Sequence, residues 1–133
     1  MTEFVFFYGT LMAGFDRRRR AGIDPKLTYM GRGAIQAALF DLGIYPAAVP
    51  APEGLVWGEV YAMTEPEPVL AALDDIEGYR ADSPDSSLYA RQQVPVRMPD
   101  GSSEQAWVYF YNAPLGQAQR IASGDYLEHV KVR

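Results

Sequence analysis

The sequence predicts an α+β fold, a roll or small barrel of about six strands packed with one main helix. Short runs rich in aromatic and β-branched residues recur along the chain, which is typical of strands. One segment, residues 64–78, combines helical spacing of apolar residues with start and stop signals. Because this helix does not alternate with the strands, a parallel sheet built from βαβ units is not expected.

Composition and charge exclude several classes of function. The 133 residues favour a single domain spanning 1–133, and 48% hydrophobic with 22% charged residues is typical of a globular protein. A net charge of −5 argues against a nucleic-acid partner, because phosphate binding needs a basic face. No window reaches the length of a membrane-spanning helix. Glu3 leads directly into a predicted strand and not into a signal peptide, so we expect a cytoplasmic protein without a membrane role.

The residue types present also restrict the chemistry. The chain has no cysteine, which excludes disulfides, thiolate zinc sites and a cysteine nucleophile. His129 is the single histidine, so a histidine metal cluster is excluded and a Ser-His-Asp triad could use only that residue. Any catalysis must therefore depend mainly on carboxylates, tyrosines, arginines and backbone groups.

The first predicted strand is Phe4–Tyr8, an unbroken run of aromatic and β-branched residues that indicates burial on both faces. Gly9 ends the run, and two interpretations are open. The glycine closes an ordinary tight turn. Alternatively, it adopts φ values that other residues avoid and lets the N–H groups of Gly9, Thr10 and Leu11 converge on an anion.

One or two further strands are predicted over Thr28–Ala34 and Ala37–Leu42, and another over Leu55–Met63. Residues 45–52 hold three prolines and are interpreted as a turn followed by an irregular connector. Gly58, inside the Leu55–Met63 strand, indicates a bulge or the close approach of another group.

The main helix has signals at both ends. Residues 64–67, Thr-Glu-Pro-Glu, have the spacing of a capping box, with Pro66 in the first turn. Apolar residues continue at helical spacing to Ile76, and Gly78 is the stop signal.

The last long strands are predicted over Arg91–Met98 and Glu104–Asn112, joined as a hairpin by residues 99–103. Alternation along the second strand places three aromatic residues on one face, namely Trp107, Tyr109 and Tyr111.

Three other segments have weaker patterns. Asp16 is expected to cap a short helix carrying Arg17–Arg20, whose arginines are either solvated or in contact with an anionic substrate. Residues 82–87 are expected to form a mobile polar loop. Ala118–Ile121 is interpreted as a helical turn.

Glu77 is the residue that contradicts the pattern around it. On a helical wheel of about 100° per residue, Glu77 lies roughly 80° from Val69 and inside the apolar arc, whereas Asp75 points away. Glu77 also lies in the last turn, where the helix dipole disfavours negative charge, and Asp74 adds like-charge repulsion. Burial and both charge effects would raise the pKa of this carboxyl, as a general acid or base near neutral pH requires. A structural alternative remains, in which Glu77 swings outward at Gly78 or pairs with an arginine such as Arg91.

Four motifs together resemble the γ-glutamylcyclotransferase-like family, in the family's order and over nearly the whole chain. They are Tyr8-Gly9-Thr10-Leu11, Leu73-Asp74-Asp75-Ile76-Glu77-Gly78-Tyr79, Tyr89-Ala90-Arg91 and Ala106-Trp107-Val108-Tyr109-Phe110-Tyr111.

The resemblance implies a small mixed β-barrel with flanking helices. It also implies conversion of a small γ-glutamyl amine to 5-oxoproline and free amine, without metal or cofactor. By motif, Glu77 would be the acid/base residue, the loop Tyr8, Gly9, Thr10 and Leu11 would bind substrate, and Tyr109 would line the pocket. From the residues alone, Tyr109 is equally a barrel-lining core aromatic.

One departure from the family pattern leaves the released amine open. The family loop often has a basic residue after the leucine, whereas this chain continues Met12-Ala13-Gly14. Since a fold hosts more than one role, a non-catalytic pocket for a small carboxylate metabolite is the alternative function.

Overall fold

The computed structural model describes residues 3–9, 11–12, 22–43 and 45–131. Within these residues there are eight strands, in chain order β1 Glu3–Phe7, β2 Leu27–Gln36, β3 Ala38–Asp41, β4 Pro46–Val49, β5 Leu55–Met63, β6 Tyr89–Arg97, β7 Ser103–Tyr111 and β8 Gln119–Arg120. Two α-helices are described, α1 Pro66–Glu77 and α2 Tyr126–Lys131, together with 3-10 turns at Asp24–Lys26 and Pro84–Ser86. The predicted helix with Asp16 and Arg17–Arg20 lies outside the described residues, as does Thr10.

Five strands close into a barrel in the order β1-β5-β2-β6-β7. The β7–β1 pair is parallel and the other pairs are antiparallel, so the barrel is mixed. The interior is filled by apolar side chains, among them Phe6, Val60 and Val108, which are almost completely buried. This architecture confirms the predicted α+β class, one main helix and small mixed barrel.

A second, three-stranded sheet has the order β4-β3-β8 and corrects two predictions. The supposed irregular connector contains strand β4. The strand tolerates Pro46 because this proline occupies the first position of an edge strand, where its missing N–H costs no ladder bond. The supposed helical turn Ala118–Ile121 contains strand β8, which pairs with β3. The Ile121 N–H extends that pairing by donating to the Leu39 carbonyl at 2.7 Å.

Helix α1 ends as predicted but begins differently. Its N-cap is Glu65, without a side-chain capping bond, so the predicted capping box is wrong. The Thr64 N–H donates instead to the Lys26 carbonyl, which ties Thr64 to the segment before β2. Gly78 ends the helix at a φ of 69°, where a glycine is favoured. In the described part of the chain, neither helix is long and apolar enough to cross a membrane.

Gly58 is explained by close approach and not by a bulge at its own position. A Cβ there would meet the Phe7 carbonyl and, at 2.7 Å, the Phe6 ring. The register shift between β2 and β5 lies elsewhere, between Tyr29 and Gly31.

The polar segment 82–87 carries more internal structure than a simple loop. It includes the 3-10 turn Pro84–Ser86, and the buried Ser87 hydroxyl accepts the Arg80 N–H at 2.8 Å. The expected mobility of this segment remains a prediction.

Candidate active site

A cleft opens where β1 ends, between the C-terminal turn of α1 and the second sheet. It encloses about 350 Å³, including the part open to solvent. Ten described residues line it: Phe6, Phe7, Tyr8, Gly9, Leu11, Tyr45, Pro46, Glu77, Tyr89 and Tyr109. The structure therefore brings together every predicted site residue that it describes.

Glu77 faces inward, as its position on the helical wheel predicts. It is only 7% exposed and shares the buried face of α1 with Val69, Leu70 and Leu73, whereas Asp75 is exposed. Helix α1 contacts strand β7 through the Tyr109 hydroxyl, which reaches Leu70 and Asp74. Gly78 ends the helix immediately after Glu77. The last turn contains no basic residue to balance the helix dipole.

Arg91 pairs with Asp74, another carboxylate near the end of α1. Its Nε donates to Asp74 Oδ1 at 2.8 Å, and its guanidinium carbon lies 4.5 Å from the Trp107 ring centroid. The predicted repulsion between Asp74 and Glu77 is therefore offset by a neighbouring cation. Sequence patterns did not reveal this compensation, because Arg91 is distant in the chain.

Tyr109 is held by the same aspartate. Its hydroxyl donates to Asp74 Oδ1 at 2.6 Å. Burial raises the pKa of Tyr109, and the hydrogen bond and charge of Asp74 raise it further. The phenol consequently stays protonated at physiological pH, with its proton directed toward Asp74.

Tyr8 connects three parts of the fold around the cleft. Its hydroxyl donates to the Tyr109 carbonyl at 2.7 Å and accepts the Ala48 N–H at 3.3 Å. The Tyr89 hydroxyl donates in a similar way to the Pro46 carbonyl at 3.2 Å. These bonds fix the second sheet beside the barrel and give the walls of the cleft a defined shape.

Gly9 is required for a reason that differs in part from the prediction. Its φ is not positive, so the expected unusual backbone angle is wrong. A Cβ at this position would lie 2.7 Å from Pro46 Cγ, which means that the backbone approaches the second sheet closely. The Met12 N–H donates to the Gly9 carbonyl at 3.0 Å and closes a turn. Since Thr10 lies outside the described residues, convergence of the loop N–H groups on an anion stays a prediction.

Three further residues line the cleft that were not predicted as site residues, namely Tyr45, Pro46 and Tyr89. The Tyr89 ring packs edge-to-face with the Tyr111 ring, with centroids 5.3 Å apart. Its centroid lies 6.2 Å from that of the Tyr45 ring. Tyr89 belongs to the Tyr-Ala-Arg motif, which was an available signal. Tyr45 and Pro46 have no local signal, because only the packing of the second sheet brings them to the cleft. Among the described residues, no group of histidine, aspartate and glutamate side chains is arranged to hold a metal ion.

Comparison with known sequences gives a consistent assignment. The model of the family described as "Gamma-glutamyl cyclotransferase, AIG2-like" matches residues 5–128. The gamma-glutamylcyclotransferase family protein YtfP of Escherichia coli K12 is 38% identical over 93 residues, which are 70% of each chain. The family protein ytfP of Citrobacter rodentium is 37% identical over 128 residues, covering 93% of this chain and 95% of the relative.

Solved structures share the architecture. The solution structure of Escherichia coli YtfP superposes with a TM-score of 0.66 and 31% identity, over 96% of this chain and 98% of that one. The crystal structure of YkqA from Bacillus subtilis gives a TM-score of 0.73 at 24% identity, which supports the fold alone. The match covers 99% of this chain and 42% of YkqA, a longer protein.

Proposed function

Since the chain belongs to the gamma-glutamyl cyclotransferase, AIG2-like family, we propose that it cyclises a γ-glutamyl amine or γ-glutamyl amino acid. The products are 5-oxoproline and the free amine, and Glu77 is the single general acid/base. The family supports cyclotransferase-type activity on a small γ-glutamyl molecule in general; the products and the role of Glu77 are our proposal.

The observation that carries this proposal is the chemistry of the cleft walls. Glu77 is the only carboxylate among the ten described residues that line the cleft. The hydroxyl protons of Tyr8, Tyr89 and Tyr109 are all donated to protein acceptors. Glu77 is therefore the side chain best suited to take and return a proton there.

The reaction needs no nucleophile from the protein. The substrate's α-amine attacks its own γ-carbonyl carbon, so that a C–N bond forms to the α-nitrogen and the C–N bond to the leaving amine breaks. The α-nitrogen loses two protons as it changes from an ammonium group to the lactam N–H. Glu77 accepts one of them and donates it to the departing nitrogen, and the released amine takes up the other to leave as an ammonium ion. No water is consumed, and transfer of this kind contributes about 10²- to 10⁴-fold in rate.

The turn after β1 supplies the binding part of the proposal. The turn contributes Gly9 and Leu11 to the lining of the cleft, which Glu77 also lines. In the proposed complex its N–H groups hold the substrate's α-carboxylate, which directs the α-amine toward Glu77. Restricting the flexible glutamyl chain to its cyclising shape lowers the entropic part of the barrier.

A panel of γ-glutamyl amines and γ-glutamyl dipeptides, with 5-oxoproline as the measured product, tests the proposal. We expect 5-oxoproline from at least one member and its loss in Glu77→Gln. Tight binding of glutamate-like ligands without turnover across the panel would favour a non-catalytic carboxylate-binding protein. A product other than 5-oxoproline would indicate different chemistry at Glu77.

A further inference from the structure

A charged cluster lies at the seam where α1 meets strands β6 and β7. Arg91 Nε and the Tyr109 hydroxyl both donate to Asp74 Oδ1, at 2.8 and 2.6 Å. The Arg91 guanidinium is further held between the rings of Trp107 and Tyr79, with centroid distances of 4.5 and 5.5 Å. These contacts join the last turn of α1 to two neighbouring strands of the barrel.

Asp74 also determines where that turn ends. It precedes Glu77 by three residues, and its backbone carbonyl accepts the N–H groups of Gly78 and Tyr79. Both the side chain and the backbone of Asp74 therefore act on the segment that carries Glu77. If the side chain lost its partners, the position of the Glu77 carboxyl would change with the turn.

The charges of the cluster act on one shared neighbour. The pKa of Tyr109 is raised by burial first and then by Asp74, is lowered by Arg91 and is raised by Glu77. The pair and Glu77 thus lie within electrostatic range of the same phenol. Asp74 and Arg91 carry opposite charges and act on Tyr109 in opposite directions, so their electrostatic effects cancel in part.

We infer that Asp74 and Arg91 form a positioning pair for Glu77, which fixes the last turn of α1 and keeps its surroundings close to electrically neutral. Neither member of the pair lines the cleft, so the pair acts by positioning Glu77 and the Tyr109 side chain, which do. Its significance for catalysis depends on the proposed function, but the geometry and the test below do not. Among the described residues that line the cleft, the titratable groups besides Glu77 are Tyr8 after β1, Tyr45 before β4, Tyr89 on β6 and Tyr109 on β7, and Asp74 contacts both Tyr109 and Arg91.

Direct titration of the Glu77 carboxyl by carbon-13 NMR tests the inference without substrate. The resonance is assigned by its loss in Glu77→Gln. Asp74→Asn leaves the arginine cation unbalanced, so the pKa of Glu77 should fall. Arg91→Gln leaves the aspartate charge unbalanced, so that pKa should rise. We expect a shift of about half a pH unit or more in each direction. The double variant Asp74→Asn/Arg91→Gln should return close to the parent value, because the charge sum is restored.

Asp75→Asn is the matched control, since it removes a carboxylate from the exposed side of the same helix. Shifts in the same direction for both single variants, or shifts no larger than that of the control, would overturn the inference. Arg91→Lys and the double variant keep the summed charge of the pair at its parent value. They are titrated in place of the single variants if one of those does not fold. Because Arg91→Lys also keeps a cation beside Asp74, a Glu77 pKa in that variant that departs from the parent by more than the control does also overturns the inference.

The titration tests the pair and the product assay tests the proposed function, and either hypothesis can be refuted without the other. A chain that forms no 5-oxoproline but shows opposite shifts refutes the proposed function and retains the pair. An active chain whose shifts coincide refutes the pair and retains the function. In an active chain, the acid limb of the kcat/KM profile should move to lower pH in Asp74→Asn and to higher pH in Arg91→Gln, which a merely structural contact would not produce.

Discussion

Helices α1 and α2 are each joined to a barrel strand by an arginine–aspartate pair of nearly equal length. Arg91 Nε lies 2.8 Å from Asp74 Oδ1 on α1, and Arg32 Nη2 lies 2.9 Å from Asp125 Oδ2 just before α2. The first pair binds the Tyr109 hydroxyl and lies one turn from a buried carboxylate in the cleft. The second is more exposed on its arginine side, at 37% against 20%, and neither of its members lines the cleft.

The difference shows that an ion pair's role follows from its neighbours more than from its own geometry. Beside Glu77, the pair lies near the carboxylate that we propose as the acid/base group, so we expect it to influence that group. At α2, the Asp125 carboxylate accepts the Glu128 N–H at 3.3 Å and so also caps the helix, which is a contribution to stability only. Substitutions in the two regions should consequently separate activity from stability.

The largest effect is expected for Glu77→Gln, which keeps the shape of the side chain and removes its titrating proton. Turnover should fall by at least about 10²-fold, because the proposed acid/base group is lost. The free energy of unfolding should change by no more than about 1 kcal/mol, since a carboxylate at a helix C-terminus is not favoured by the dipole. Steady-state kinetics and denaturant unfolding measure both.

Asp75→Asn on the exposed face of α1 is the control for Glu77→Gln, and its turnover should stay near that of the parent. If both variants behave alike, the assignment of Glu77 fails. A destabilised Glu77→Gln protein whose folded fraction kept full activity would instead identify a structural glutamate.

Gly9→Val tests whether the second sheet takes part in the active region. The new side chain would meet Pro46, which begins β4, so the cleft wall must shift. Overpacking of this kind costs about 1–3 kcal/mol of stability, and KM should rise well beyond what kcat loses. Unchanged kinetics in a folded Gly9→Val protein would remove the turn after β1 from the binding site.

Tyr8→Phe should affect stability more than chemistry. Removing the hydroxyl leaves the Tyr109 carbonyl and the Ala48 N–H without this partner in a buried setting. Such a loss costs about 1–3 kcal/mol, measured as a shift in the denaturant midpoint. A tenfold or greater rise in KM with unchanged stability, by contrast, would show that the hydroxyl binds substrate directly.

The smallest effect is expected for Asp125→Asn at α2. The amide oxygen can still cap the helix, and only the partly exposed pair with Arg32 is weakened. Stability should fall by about 0.2–1 kcal/mol and turnover should not change. A marked loss of turnover would mean that the α2 region communicates with the cleft, and the distinction between the two pairs would then be wrong.

Much of the fold was predictable because the relevant signals are local. The bounds of β5 and the end of α1 follow from runs and stop residues that are contiguous in the chain. The two-residue strand β8 and the alanine-rich β4 were missed, since each becomes a strand only by pairing with β3. The capping box failed because the Thr64 N–H is engaged by Lys26 before β2, a partner that helix signals do not register.

By itself, the sequence determined that Glu77 lies within the apolar arc of the wheel at the end of α1. The tertiary structure decided that its carboxyl stays inward at Gly78. The sequence also determined where the long strands lie along the chain, because each one is marked by its own run of aromatic and β-branched residues. Only the tertiary structure decided that Arg91 pairs with Asp74, that Pro46 lies against Gly9 and that Tyr45 and Tyr89 complete the cleft. Those contacts join residues distant in the chain, and their free energy depends on distances that exist only after the barrel has closed.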